Sequence, residues 1–143
     1  MPSKELIGEV LSTGSATVSA EHVARFAEAL GDGNDRYRDE AAVAPPTYPI
    51  AFMAQAMAGG AETFQKLELN YATLVHGEQE FEYVRPIRVG ESLTLTGRIG
   101  DVYEKRSSSG AVLDFVVLET EARDAREQVV FYSRNVLISR RAA

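Results

Sequence analysis

Residues 50–58 read Ile-Ala-Phe-Met-Ala-Gln-Ala-Met-Ala, and this run decides how the chain is expected to fold. Its side chains are apolar on nearly every face except at Gln55, which is the pattern of a helix surrounded by protein. The run is far too short to cross a bilayer, which requires about 20 apolar residues. It therefore predicts a central helix that the rest of the chain encloses.

The residues that follow this run predict β-structure. Segments of alternating or β-branched side chains are separated by turns rich in glycine, serine and charged residues, as in antiparallel sheets. The segments are Phe81–Val84, Leu93–Thr96, Val112–Leu118 and Val129–Ile138. Together they predict a four-strand meander against the central helix.

The residues before the run predict one further strand and one further helix. The strand is expected around Glu9–Val18, and Ser19 is a suitable N-cap for the helix that follows. Gly31 fits the C′ position, where a positive φ costs glycine little. Apolar residues at i, i+3, i+4 and i+7 then form the buried stripe of this helix: Val23, Phe26, Ala27 and Leu30.

The central helix is expected to begin with Thr47 as its cap and Pro49 in its first turn. A buried helix with five antiparallel strands predicts an α+β fold in which a curved five-stranded sheet wraps a long central helix, which is the hot-dog architecture. No linker or repeat interrupts the chain, so residues 1–143 are expected to form a single domain.

Composition narrows the possible partners. The formal net charge is -6 and the pI is near 5.0, so nucleic acid and anionic membrane surfaces are not expected partners. The chain contains no cysteine, which excludes disulfides and thiolate ligands. No apolar N-terminal run resembles a signal peptide, and a cytoplasmic location is expected.

The candidate catalytic loop follows the first helix and reads Gly31-Asp32-Gly33-Asn34-Asp35-Arg36-Tyr37. Asp, Gly and Asn are common turn residues, so the loop can also be explained as a turn that ends a helix. Further short motifs are Asp39-Glu40-Ala41-Ala42, Ala44-Pro45-Pro46-Thr47, His76-Gly77-Glu78-Gln79-Glu80-Phe81-Glu82-Tyr83, Arg85-Pro86 and Val89-Gly90-Glu91.

These motifs resemble the MaoC-like (R)-specific enoyl hydratases and 3-hydroxyacyl dehydratases. The resemblance is strongest to their N-terminal, FAS1-like dehydratase branch, which includes small subunits of mycobacterial β-hydroxyacyl-ACP dehydratases. The family loop is Gly-Asp-x-Asn-Pro-x-His. Asp32 and Asn34 match it, whereas Asp35 and Tyr37 stand where the family has proline and histidine.

The resemblance implies three catalytic candidates: Asp32 for proton transfer, Asn34 for orientation and Tyr37 as a hydrogen-bond donor. A phenol has an ordinary pKa of about 10 against about 6.5 for imidazole, so Tyr37 replaces histidine poorly as a base. The implied substrate-binding residues are Gly33, Pro46, Thr47, Met53 and Met57. The two methionines are equally explained as plain core residues.

The resemblance leaves several functions open. The favoured one is a subunit of a 3-hydroxyacyl thioester dehydratase or enoyl hydratase that binds the acyl chain of acyl-CoA or acyl-ACP while a partner supplies the histidine. The others are a complete homodimeric hydratase in which Asp32 and either Tyr37 or His76 transfer the protons, a non-enzymatic acyl-thioester-binding or assembly protein, and a hot-dog thioesterase. No cofactor and no metal are expected, since only His22 and His76 offer imidazoles.

A single sheet around one helix has unpaired edges, so the chain is not expected to be a monomer. Its partner is a second copy or a hot-dog paralogue. His22 is expected to face solvent or the N-terminus of its helix, and His76 to have a structural role. Seven cations are enough to bind the phosphates of a carrier, or they are simply solvated: Arg36, Arg38, Arg85, Arg88, Arg98, Lys105 and Arg106.

Overall fold

The computed structural model describes residues 2–39, 41–56 and 65–141, and of residues 55 and 56 the backbone alone. The strands are β1 (Val10–Thr17), β2 (Val75–Tyr83), β3 (Ser92–Arg106), β4 (Val112–Arg123) and β5 (Val129–Arg140). The α-helices are α1 (Ala20–Ala29) and α2 (Pro49–Ala56).

The strands form one five-stranded antiparallel sheet in the order β1-β3-β4-β5-β2, which confirms the predicted sheet. The predicted four-strand meander is wrong, because only β3, β4 and β5 pair in succession. β3 has β4 on one side and β1 on the other, which leaves no place for β2 beside it. β2 instead pairs with β5 at the opposite edge. The two edge strands are therefore β1 and β2.

Helix α1 follows its sequence signals closely. The Ser19 hydroxyl accepts a hydrogen bond from the His22 backbone N–H at 3.0 Å, as expected of an N-cap. Val23 and Ala27 are buried, and Gly31 has a φ of +72°. Leu30 departs from the predicted stripe, since it lies in the helix cap and is 53% exposed.

Helix α2 begins at Pro49, one residue later than a cap at Thr47 predicts. Proline lacks a backbone N–H and has a helical φ, so it suits the first position of a helix. The predicted enclosure is confirmed only in part in the region described: Phe52 is fully buried, but Ile50 is 43% exposed. The helix thus buries one face and leaves another open. Met57 and the end of the apolar run lie outside the described residues.

The buried face of the sheet, called here the inner face, packs against α2. Phe52 belongs to a cluster with inner-face residues of three strands and with the segments around the candidate loop. The cluster includes Tyr37, Ala44, Tyr48, Leu93, Leu95, Ala122 and Phe131. A second cluster lies further along the sheet and includes Leu11, Leu69, Ile99 and Val116. The candidate loop therefore belongs to the α2 end of the core.

Candidate functional site

A pocket of about 300 Å³ opens beside the candidate loop. The loop is held against the turn after β2, because Val43 donates its backbone N–H to the Arg36 carbonyl at 3.1 Å and Ala44 donates to the Ile87 carbonyl at 2.9 Å. The pocket is lined by Arg36, Tyr37, Ala44, Pro46, Tyr83, Val84, Arg85 and Pro86. Of the predicted site residues, Tyr37 and Pro46 thus line one cavity.

Asp32 and Asn34 hold the loop in shape. The Asp32 carboxylate accepts the Asn34 backbone N–H at 3.0 Å, and the Asn34 side-chain oxygen accepts the Arg36 backbone N–H at 3.1 Å. Both residues and Gly33 between them are exposed and lie outside the pocket lining. The turn expected from residue type is therefore real. Asp32 keeps a second carboxylate oxygen with no hydrogen-bond partner among the described residues.

Tyr37 lies between the pocket and the core. It is only 6% exposed and belongs to the same cluster as Phe52. The Arg36 guanidinium carbon lies 5.6 Å from the centroid of its ring. Within the described chain the Tyr37 hydroxyl has no hydrogen-bond partner, so it is free to donate to a ligand in the pocket.

Tyr83 connects the pocket to the entry of α2. Its hydroxyl donates to the Pro46 carbonyl at 2.7 Å, and burial raises the pKa of the phenol well above its ordinary value. The phenol therefore stays protonated and serves as a fixed donor. Sequence reasoning missed this residue, although a tyrosine in a half-buried strand usually requires a partner for its hydroxyl.

The start of α2 offers limited hydrogen bonding to a substrate carbonyl. The N–H groups of Ile50 and Ala51 already donate to the carbonyls of Thr47 and Tyr48, at 3.2 and 3.1 Å. Pro49 has no N–H. The Thr47 N–H has no partner among the described residues, and Thr47 is exposed. Thr47 is thus the available backbone donor at this end of α2.

Met53 is half-buried and packs against the cluster that contains Tyr37 and Phe52. It does not line the pocket. The role predicted for Met57 lies outside the described residues.

His22 was expected to face solvent or its helix N-terminus, and the structure corrects this. Its Nδ1 lies 3.0 Å from the Tyr48 hydroxyl, and the two rings meet edge to face. Burial raises the pKa of Tyr48 to about 12, so this phenol stays protonated and shares a hydrogen bond with the imidazole. His22 also lies nine residues before Gly31, where the candidate loop begins. This spacing corresponds to about 14 Å along a helix at 1.5 Å per residue.

His76 lies near the start of β2, whereas the pocket is at the other end of this strand. Seven residues separate His76 from Tyr83, which corresponds to about 23 Å along a strand. Neither histidine of the chain lines the pocket. The pocket of a single chain lacks an imidazole.

Two of the seven candidate cations, Arg36 and Arg85, line the pocket. Arg85 bonds Glu91 at 2.8 Å and Asp124 at 3.1 Å, and the hydrogen bond to Glu91 is the main cause that raises its pKa. Arg85 is thus neutralised within the chain. Arg98, Lys105 and Arg106 lie on β3, away from the pocket, so the seven cations do not form one patch.

The described residues contain neither a cluster of metal ligands nor a membrane-spanning helix. No group of three or more histidine, aspartate, glutamate or cysteine side chains there is arranged to hold a metal ion. No helix among them is long and apolar enough to span a membrane.

Comparison with solved structures places this geometry in a known fold. The chain superposes on a chain of the HadBC (3R-hydroxyacyl-ACP dehydratase) complex from Mycobacterium tuberculosis with a TM-score of 0.73 and 19% identity, covering 97% of this chain and 100% of that one. It matches the ChsH1–ChsH2 complex from the same organism with a TM-score of 0.71 and 18% identity, over 92% and 84% of the two chains. These likenesses confirm the hot-dog fold.

Sequence comparison identifies the family. A UPF0336 protein of Streptomyces griseus is 36% identical over 134 residues, covering 87% of this chain and 85% of that protein, and one of Streptomyces avermitilis is 37% identical over the same coverage. The family model for the FAS1-like dehydratase domain region matches residues 5–133. Because this match spans most of the chain, the chain belongs to the FAS1-like dehydratase domain family.

Proposed function

We propose that this chain is the acyl-binding subunit of an (R)-specific 3-hydroxyacyl thioester dehydratase or enoyl hydratase in fatty-acid metabolism, and that a second hot-dog chain supplies the catalytic histidine. The observation that carries the proposal is the pocket at Tyr37. It adjoins the family's catalytic loop and reaches the core through Tyr37, yet no imidazole lies beside it.

The chemistry explains why such a pocket requires a partner. Dehydration breaks the bond between carbon 2 and its proton and the bond between carbon 3 and its hydroxyl, and releases water. A base must take the proton, an acid must protonate the hydroxyl, and donors must hold the developing enolate oxygen. Tyr37 and the Thr47 N–H can serve as donors, and Asp32 can accept a proton. An imidazole that exchanges protons near neutral pH has to come from elsewhere.

The proposal is tested by measuring the hydration of a short-chain enoyl-CoA. The loss of the enoyl absorbance reports the rate. The isolated chain is expected to show at most weak turnover. Addition of a hot-dog chain with an intact Gly-Asp-x-Asn-Pro-x-His loop should raise turnover by about 10²–10⁴, the usual contribution of general acid–base catalysis. Fast turnover by the isolated chain would instead indicate a complete enzyme.

One observation favours a second candidate, a non-enzymatic acyl-thioester-binding protein. Asp32 and Asn34 are both engaged in closing their own turn, so the loop is stable without a catalytic role. In that case a fluorescent acyl thioester would bind while hydration stayed absent with every catalytic partner. Release of free thiol in the same assay would identify a thioesterase.

The path of the acyl chain can be tested at Met53. Met53→Trp is expected to weaken binding of long acyl thioesters by tenfold or more while sparing short ones, because Met53 packs against the cluster that contains Tyr37 and the larger indole would fill space that a long acyl chain needs. Titration with acyl-CoAs of increasing length measures the effect. Ala54→Ser, on the exposed side of α2, is the matched control. Equal losses for short and long chains in a folded variant would contradict this path.

A further inference from the structure

The pocket beside Tyr37 has an unusual charge for this chain. Two arginines and two tyrosines are among the residues that line it, whereas none of these lining residues is acidic. The whole chain has a formal net charge of -6, so a cavity lined without carboxylates is a local exception. A positively charged lining favours a ligand group that carries negative charge.

The two arginines differ in the charge that they offer to a ligand. Arg85 is neutralised by its bonds to Glu91 and Asp124. Arg36 lines the same pocket and is exposed, and within the described ranges 2–39, 41–56 and 65–141 it forms no ion pair with a carboxylate. The charge of the Arg36 guanidinium is therefore available to whatever enters the pocket.

Arg36 is held in place at both its side chain and its backbone. The guanidinium carbon lies 5.6 Å from the centroid of the Tyr37 ring, which is the distance of a cation–π contact. The Arg36 N–H donates to the Asn34 side-chain oxygen at 3.1 Å, and the Arg36 carbonyl accepts the Val43 N–H at 3.1 Å. A guanidinium and the free hydroxyl of Tyr37 thus belong to one ordered segment of the pocket wall.

The chemistry of the proposed function generates a negative charge that needs such donors. When a base removes the proton from carbon 2 of the acyl thioester, the electron pair of that bond forms a double bond between carbons 1 and 2. The carbonyl oxygen then carries the charge of an enolate. When the hydroxyl leaves carbon 3 and is protonated to water, the carbonyl re-forms and the double bond lies between carbons 2 and 3. Donors that hold the enolate oxygen lower the barrier to this sequence.

We propose that Arg36 donates to the enolate oxygen of the acyl thioester, with the Tyr37 hydroxyl as a second donor. The start of α2 supplies little for this oxygen, because the N–H groups of Ile50 and Ala51 are engaged and Thr47 does not line the pocket. The inference rests on the proposed function and adds a catalytic residue at a position that the family loop leaves variable. A guanidinium offers several N–H donors and stays charged at neutral pH.

The inference is tested with acetoacetyl-CoA, a thioester that ionises to an enolate without any catalytic histidine. The ultraviolet absorbance of the enolate, followed against pH at saturating protein, gives the ionisation constant of the bound thioester. Binding to the wild-type chain should raise this constant by about tenfold or more, because an opposite charge within about 4–6 Å favours the ionised form. Arg36→Gln should abolish the increase, and Arg36→Lys should keep part of it.

Arg38→Gln is the matched control. Arg38 lies two residues further along and is exposed, but it does not line the pocket, so its loss changes net charge equally and should leave the ionisation constant unchanged. Equal effects at the two positions would overturn the inference, since net charge and not contact would then be responsible. A wild-type chain that binds acetoacetyl-CoA without raising the constant, or does not bind it, would overturn the inference as well.

A kinetic measurement separates this role from ordinary substrate binding. In a complex with a catalytic hot-dog chain, Arg36→Gln should lower kcat and kcat/KM by the same factor, about ten- to hundredfold, because the negative charge develops only in the transition state. A loss confined to KM would overturn the inference. A wild-type chain that raises the ionisation constant as expected, yet hydrates no enoyl thioester with any partner, would reject the proposed function alone.

Discussion

Replacement of Tyr37 by histidine is expected to raise the hydration rate of a short-chain enoyl-CoA by about 10²–10⁴ in the isolated chain. The side chain at position 37 lines the pocket, so a histidine there would place an imidazole at the candidate site. Imidazole exchanges protons near neutral pH, whereas a phenol, with an ordinary pKa of about 10, is a poor base there. Asp35→Pro in the same chain should increase the gain, because it restores the family's loop.

Two controls assign this gain to the loop. Asp32→Asn in the histidine-restored chain should abolish it, since the amide cannot accept a proton. Tyr37→Phe in the otherwise wild-type chain should change turnover little, because the wild-type rate is expected to be low already. If the wild-type chain is fast and Tyr37→Phe slows it strongly, Tyr37 is a working acid in a complete enzyme. The subunit proposal would then be wrong.

Phe52→Ala is expected to lower the free energy of unfolding by about 3–5 kcal/mol. Phe52 is fully buried and joins α2 to the inner face of the sheet, so its removal leaves a cavity at the centre of the cluster. Total stability of such domains is about 5–15 kcal/mol, so a large share would be lost. Urea unfolding should show a lower midpoint with an unchanged slope.

Ile50→Ala on the same helix is the matched control. Ile50 is 43% exposed, so the substitution is expected to cost less than about 1 kcal/mol in the isolated chain. Equal losses at the two positions would mean that α2 is enclosed on both faces. That result would agree with the enclosed helix that the sequence predicts. It would contradict a helix with one exposed face, as the structure has it.

The sequence by itself determined the local elements of this protein. Strand and helix periods are short-range patterns, and the signals at Ser19 and Gly31 placed both ends of α1 without any knowledge of the fold. The candidate loop was equally readable, because its residue types stand at fixed spacing. The expectation that Tyr37 replaces a histidine poorly as a base followed from the ordinary pKa values of a phenol and an imidazole alone.

The tertiary structure decided what depends on contacts between distant residues. An alternating pattern shows which side chains of a strand share a face but not which strand lies beside it, so the position of β2 at the sheet edge could not be read in advance. The exposed side of Ile50 and the contact between His22 and Tyr48 likewise depend on what packs against each element. Tertiary contacts also decided which of the candidate site residues lie at the pocket. Asp32 and Asn34 bond their own neighbours and close the loop, whereas burial against Phe52 turns Tyr37 towards the core and the pocket.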